Sequence, residues 1–290
     1  DLGVRFIAMR CAGFDRVDLD ACRARGVAVT RVPAYSPYAI AEHAVALMLA
    51  LNRQIIKGHS RVQQGNYSLS GLVGFDMHGK TVGLVGTGKI GRCTASILLG
   101  MGCKVLAHDL YPSEEAIAMG IEYVDTIEEL LPQCHIVTLH CPLNESTHHL
   151  MNAERLAMMR SGSMLINTSR GALVDTSALA AALDDTAVRG GVACAGLDVY
   201  EREGGVFFSD KSEETDDVPG SSVGGDWDFE LSSLACRPNV IVTAHQAFLT
   251  AEALANIAAT TVDNLTEFEN GGDDKNGKDK HEYTNGVVGH

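Results

Sequence analysis

Long apolar runs are missing from this chain, and so are the cysteine spacings that metal sites use. No uninterrupted apolar stretch reaches the roughly 18 residues needed to cross a bilayer, which argues against a membrane span. The eight cysteines (Cys11, Cys22, Cys93, Cys103, Cys134, Cys141, Cys194 and Cys236) form no C-x-x-C pair and no zinc-type spacing, so no metal is expected from them. They read as reduced, mostly buried thiols of a reducing compartment, and the expected location is cytoplasmic. Positive charge is scarce too: 23 Lys and Arg stand against 37 Asp and Glu, for a net charge of −14. An acidic chain lacks long-range attraction for phosphate backbones or anionic lipid, so neither nucleic acid nor a membrane is an expected partner. No signal or transit peptide and no internal repeat is visible. The chain opens at Asp1, almost directly on a strand-like run, which reads as a fragment or mature form.

What is present fits a soluble globular protein: 290 residues, 46% hydrophobic and 21% charged, enough for one large domain or two ordinary ones. Strand-like runs alternate with helix-like ones, the pattern of an α/β fold with a parallel sheet. The expected strands are Val4–Met9, Val27–Val32, Thr81–Val85, Lys104–His108, Ile136–His140, Met164–Asn167, Val192–Asp198 and Val240–Thr243. Several are continuously apolar, as strands covered on both faces must be. Helices are expected at Ala39–Leu51 behind Ser36-Pro37, at Ile90–Leu99, at Ile127–Leu131 behind Thr126, at Ala153–Arg160 behind Asn152, at Ser177–Leu183 behind either Asp175 or Thr176, and at Ala251–Phe268 behind Thr250. The polar, acidic stretch 209–230 reads as a surface loop, and the Gly-, Asp- and Lys-rich stretch 270–290 as a disordered tail.

Gly86-Thr87-Gly88-Lys89-Ile90-Gly91 matches G-x-G-x-x-G between a strand and a helix. The motif alone is weak; its place gives it meaning. Gly86 permits a tight turn, Gly88 lets the main chain approach a pyrophosphate, and Gly91 lets helix and strand pack closely. The helix N-terminus offers unpaired N–H groups to the phosphates. Asp109 closes the next strand, about 18 residues on, where a carboxylate accepts the hydroxyls of a ribose and repels a 2′-phosphate. NAD is therefore the expected cofactor, rather than NADP.

Three further polar groups follow strands. Arg170, in Asn167-Thr168-Ser169-Arg170-Gly171, suits a bidentate grip on a carboxylate. Asp198-Val199-Tyr200-Glu201-Arg202-Glu203 follows the seventh expected strand, and His245 follows the eighth. Histidine exchanges protons near neutrality, and a carboxylate on its far nitrogen would orient the ring. Taken singly, each has a plain structural explanation, as loop brace or solvated charge. His148-His149 reads as a loop feature rather than a metal pair.

Together these residues resemble the D-isomer-specific 2-hydroxyacid dehydrogenase family, from about Val4 to Phe268. The resemblance rests on Tyr35-Ser36-Pro37 with Ala41-Glu42-His43, Gly86–Gly91, His140-Cys141-Pro142-Leu143, Asn167–Gly171, Asp198–Glu203 and His245–Phe248, in the family's order. Arg10–Asp15, Arg31–Tyr35, Phe207–Ser212 and His245–Leu254 are similar to its D-lactate dehydrogenase branch. That resemblance implies an α/β architecture: a doubly wound, Rossmann-type NAD domain at 38–247. It is inserted in a smaller, flavodoxin-like substrate domain made of 1–37 and a returning helix at 248–269, lacking its opening strands. It implies reversible hydride transfer between NADH and pyruvate to give D-lactate. Arg170 would bind the substrate carboxylate, His245 would be the acid and base, and Glu203, not Glu201, would be its partner. Lys89, Ile90, Asp109, Cys141, Pro142, Thr147, Thr168, Ser169 and Asp198 would join Gly86, Gly88 and Gly91 around the cofactor. Ala12, Gly13, Tyr35 and Phe248 would help Arg170 hold the substrate. Two other outcomes stay open: another 2-keto or 2-hydroxy acid, or an NAD-sensing, co-repressor-like binding module. The apolar segment Ala39–Leu51 is either a homodimer interface or interdomain core.

Overall fold

The computed structural model describes residues 2–14, 16–189, 191–204, 206–207, 228–270 and 283–287. Most of the expected 209–230 loop and 270–290 tail thus lies outside the described residues. In chain order, β1 (Phe6–Ala8), α1 (Leu19–Ala24) and β2 (Ala28–Thr30) come first, followed by α2 (Pro37–Asn52) and α3 (Ile55–Gln63). Next come β3 (Thr81–Val85), α4 (Lys89–Gly100), β4 (Lys104–His108), α5 (Glu114–Ala118), β5 (Glu122–Tyr123), α6 (Ile127–Leu130) and β6 (Ile136–Leu139). The chain continues through α7 (Ala153–Met158), β7 (Ser163–Asn167), α8 (Thr176–Arg189), β8 (Val192–Leu197), α9 (Phe229–Ala235), β9 (Val240–Val242) and α10 (Ala251–Glu269).

The chain divides into two compact units, Ile40–Ala247 and Asp1–Ala39 with Phe248–His290. The larger carries a seven-stranded, wholly parallel sheet in the order β5-β4-β3-β6-β7-β8-β9. The chain runs outward from β3 to β5, then returns to the other side of β3 and runs outward again to β9. The order reverses between β3 and β6, the switch point at which doubly wound sheets bind ligands. Successive strand residues point to opposite faces, and both faces are buried. Val82, Leu84, Val105, Ala107, Ile136, Met164 and Ile166 pack with Leu47, Met48, Ala95 and Leu98 from α2 and α4. Val85, Leu106, Val137, Leu139 and Leu165 face the opposite way, with Leu130, Leu156, Leu179 and Leu234 from α6, α7, α8 and α9. A period of two with apolar residues at both phases means that both faces are covered, so the strands read as unbroken apolar runs.

Local signals fix the helix starts. Thr126 accepts from Glu129 N at 3.2 Å, Asn152 from Arg155 N at 3.0 Å, and Thr250 from Ala253 N at 3.2 Å. Of the two candidates before α8, Asp175 does the capping, accepting from Ala178 N at 2.9 Å. The structure also corrects several expectations. β5, α1, α3, α5 and α9 are too short or too weakly patterned to stand out in sequence. Phe229 and Glu230 open α9, capped by the Asp228 carboxylate, rather than ending a loop. Gly286 bridges to Thr30 and Val287 N donates to Val29 O at 2.9 Å, so this part of the expected tail pairs with β2. The apolar side of α2 is core of its own unit, packed on the sheet.

In the smaller unit β1 and β2 pair in parallel. Phe6 stacks on Phe268 of α10 with centroids 4.3 Å apart. Asn264, 1% exposed, donates to Arg31 O at 3.1 Å, tying α10 to the chain after β2. No single helix among the described residues is long and apolar enough to cross a membrane.

Candidate functional site

Because all seven strands of the large sheet are parallel, their C-terminal ends share one edge. The expected cofactor and catalytic residues of this unit follow β3, β4, β6, β7, β8 and β9 along that edge.

At β3 the glycine turn meets its three demands separately. Gly86 has φ +100°, a left-handed conformation that favours glycine. A Cβ on Gly91 would lie 2.2 Å from Gly86 O, so the helix start and strand end touch main chain to main chain. A Cβ on Gly88 would meet nothing within 4 Å, which leaves open space above the N-terminus of α4. Lys89 and Ile90 form the first turn of that helix. The Asp109 carboxylate reaches back from β4 to Thr87, accepting from its N at 2.6 Å and its Oγ1 at 2.9 Å, and accepts from Tyr111 N at 2.9 Å. Burial opposes its ionisation, but these hydrogen bonds prevail and hold the carboxyl below its ordinary range. Tyr123 Oη donates to Thr87 Oγ1 at 2.8 Å, so β5, absent from the expected strands, braces the same turn.

The loops after β6 and β7 are joined. Ser169 Oγ donates to Cys141 O at 2.7 Å, and Thr147 Oγ1 donates to Pro142 O at 2.7 Å to close its loop. Burial pushes the Cys141 thiol up to about 11 and the neighbouring His140 imidazole down to about 4. Thr168 is 7% exposed, and its Oγ1 finds no hydrogen-bond partner among the described residues. An orphaned hydroxyl on the ligand-binding edge and an open space over Gly88 both fit a bound dinucleotide.

Arg170 is set by its neighbours. Asn167, 1% exposed at the end of β7, accepts from Ser169 N at 3.0 Å and donates to Arg170 O at 2.8 Å. A Cβ on Gly171 would fall 2.0 Å from the Tyr200 carbonyl carbon, so the Arg170 turn lies directly against the turn after β8. Arg170 Nη1 donates to Ser169 O at 2.9 Å.

At the β8 and β9 ends, His245 Nδ1 lies 3.0 Å from Glu203 Oε1, both side chains largely buried. His245 has φ +52°, a strained value for a side chain of this size, and its N donates to Asp198 O at 2.7 Å. Fully buried Asp198 holds this segment, accepting from Thr243 Oγ1 at 2.5 Å, Gln246 N at 2.9 Å and Ala247 N at 2.8 Å. His43 of α2 sits 3.1 Å from Thr243 Oγ1 and 3.4 Å from Asp198 Oδ1. Burial disfavours the charge on Asp198, yet the bonds from His43, Thr243, Ala247 and Gln246 outweigh it and lower its pKa. Glu201, by contrast, turns to His149 at 2.7 Å and Thr176 at 3.1 Å. The structure thus joins Glu203 to His245 and keeps Glu201 on a separate cluster. Asn167, Thr243 and His43 position this site and were not among the expected residues. A polar residue closing a buried strand was the available signal for Asn167.

Ala12, Gly13, Tyr35 and Phe248 belong to the smaller unit. There the Tyr35 and Phe248 rings meet edge to face at 6.0 Å, and Ala12 O accepts from Arg31 Nη1 at 3.0 Å.

A doubly wound sheet with a glycine turn at its switch point, an acid on the next strand and an oriented histidine beyond defines an NAD-dependent α/β oxidoreductase. The family model described as D-isomer specific 2-hydroxyacid dehydrogenase, NAD binding domain, matches residues 45–247. D-lactate dehydrogenase of Escherichia coli (strain K12) is 46% identical over 271 residues, covering 93% of this chain and 77% of that protein. The solved pyruvate reductase of Chlamydomonas reinhardtii is 51% identical with a TM-score of 0.85, over 94% of this chain and 78% of that one. D-lactate dehydrogenase of Aquifex aeolicus, solved with NAD and lactic acid, is 35% identical with a TM-score of 0.83, over 99% of this chain and 80% of that one. The chain belongs to the D-isomer-specific 2-hydroxyacid dehydrogenase family.

Proposed function

We propose that this protein interconverts pyruvate and D-lactate. The observation that carries the reading is the His245–Glu203 pair at 3.0 Å, at the ends of neighbouring strands on the edge that also bears Arg170 and the glycine turn. Bound NADH supplies the hydride that becomes the hydrogen on C2. Arg170 grips the substrate carboxylate through two parallel hydrogen bonds and holds C2 in place. Glu203 occupies the Nδ1 side of the imidazole, so His245 delivers a proton from Nε2 to the carbonyl oxygen as negative charge grows there. In the reverse direction the same nitrogen removes the hydroxyl proton. Asp198 keeps the ring placed by holding the main chain on both sides of it.

Asp109 favours NADH by accepting ribose hydroxyls. Gly86, Gly88, Gly91, Lys89 and Ile90 would receive the pyrophosphate, and Cys141, Pro142, Thr147, Thr168 and Ser169 would supply further contacts to the cofactor. Asp198 contributes through the loop it anchors. The working protein is a homodimer: Ile55, Ile56, Val62, Tyr67, Leu69 and Val73 are all more than half exposed, an apolar surface that a second copy would cover. Among the described residues no cysteine is in a disulfide, which supports a cytoplasmic setting.

NADH oxidation with pyruvate, phenylpyruvate, hydroxypyruvate and glyoxylate, with chiral analysis of the product, tests this reading. Highest kcat/KM on pyruvate with D-lactate formed supports it. L-lactate, or clear preference for another acid, refutes the substrate assignment. Sedimentation at micromolar concentration tests the dimer.

A further inference from the structure

His148 and His149 read in sequence as a loop feature, and the reaction proposed above uses neither. The structure adds a third donor. The two imidazole rings stack with centroids 4.0 Å apart, and His149 has φ +49°. His149 Nε2 lies 2.7 Å from Glu201 Oε1, while its Nδ1 faces Asp175 Oδ2 at 3.8 Å. One donor atom from each of His148, His149 and Glu201 lies within 4.8 Å of the other two. The three are held from outside: His148 N donates to Asn144 O at 2.9 Å, His149 N donates to Ala172 O at 2.8 Å, Thr176 Oγ1 donates to Glu201 Oε2 at 3.1 Å, and Gly171 packs on the main chain at Glu201.

We propose that His148, His149 and Glu201 form a binding site for one divalent transition ion of the zinc class. Two imidazoles and a carboxylate are a recurring three-ligand zinc set, with a fourth position left for water. Nitrogen donors select zinc, nickel or copper over magnesium and calcium, which prefer all-oxygen sites. Zinc bonds of about 2.0–2.2 Å require the donors to close by a modest side-chain rotation. The ion takes the place of the proton between His149 Nε2 and Glu201. His149 then donates from Nδ1 toward Asp175, the carboxylate–histidine–metal relay that fixes ring orientation. His148 is exposed, which gives the ion its way in. An ion pair fastening the turn would account for His149 and Glu201 but leaves His148, stacked beside them, with no part.

Titration of the metal-free full chain with Zn²⁺ against a chromogenic competitor, paired with the visible spectrum of the Co²⁺-loaded protein, tests the site. One ion per chain is expected, with cobalt d–d bands and no thiolate charge-transfer band. His148→Ala should bind at least about tenfold more weakly, the scale of losses at metal-site shells, and its metal-free turnover should stay at the wild-type level. Glu201→Gln should weaken binding similarly. No uptake by the wild type, equal affinity in His148→Ala, or a thiolate band tracing the ion to cysteine would each overturn the proposal.

Discussion

At the β3–β4 end of the sheet edge, recognition is prepared by the main chain. Gly86 and Gly91 touch through backbone atoms, Gly88 leaves space above a helix N-terminus, and the one essential side chain, Asp109, also spends its carboxylate on Thr87. At the β7–β9 end the construction is reversed. Asn167 and Asp198 are buried polar side chains whose hydrogen bonds set the turns that carry Arg170 and His245. On the proposed reading, one end holds the cofactor mainly with backbone, and the other sets its reacting groups through buried polar side chains. The two should therefore fail differently when altered.

The largest effect belongs to the side-chain end. His245→Gln should lower kcat for pyruvate reduction by about 10²–10⁴-fold, the range for loss of a general acid, with NADH affinity nearly kept. Fluorescence titration of NADH beside steady-state kinetics checks the split; equal losses in both would break the comparison. Arg170→Lys should raise the KM for pyruvate and lower kcat together, because a lysine ammonium lacks the planar fork.

At the backbone end, two glycines separate fold from cofactor. Gly91→Ala forces a Cβ to within 2.2 Å of Gly86 O and should lower stability by about 1–3 kcal/mol or more, seen as a fall in Tm. Gly88→Ala meets no protein atom, so its Tm should stay near wild type while the Kd for NADH rises. The opposite pattern would contradict the roles given to the two positions. A smaller change is expected at Asp109. Asp109→Asn removes the charge that repels a 2′-phosphate, so the preference for NADH over NADPH should narrow by about tenfold, measured as a ratio of kcat/KM values.

A separate prediction concerns acid stability. His140 is pushed down to about 4 in the folded chain, against about 6.5 for an ordinary histidine. Between those values the unfolded chain binds a proton that the folded one refuses, so stability falls as pH drops from about 6.5 to about 4. Asp109 and Asp198, with lowered pKa values, lose their contribution only at still lower pH. Denaturant midpoints across this range should show a shallower decline in His140→Gln; an unchanged slope would contradict the assignment.

The contrast also explains what could be read from sequence. The glycine turn lies within six consecutive residues and its acid one strand away, so spacing sufficed. Buried parallel strands announce themselves as apolar runs, and six of the large sheet's seven strands end within a residue of the expected positions. The two-residue β5 and the short α5 and α9 are stabilised by what packs on them, which no local pattern records. Choosing Glu203 over Glu201 depended on family resemblance, since both follow the same strand. Tertiary packing separates them, with His149 and Thr176 drawing Glu201 away. Asp198 is expected beside the cofactor; its four hydrogen bonds to the 243–247 segment, one of them through its main-chain oxygen, arise from tertiary packing that no local pattern records.

The pairing of Glu203 with His245 is open to a direct test through kcat/KM for pyruvate in four proteins: wild type, Glu203→Gln, His245→Gln and the double variant. If the carboxylate works only by orienting that imidazole, Glu203→Gln costs about 10–100-fold in the wild-type background and almost nothing once His245 is gone. Equal losses in both backgrounds would mean that the two side chains act independently and that the 3.0 Å contact plays no part in the chemistry.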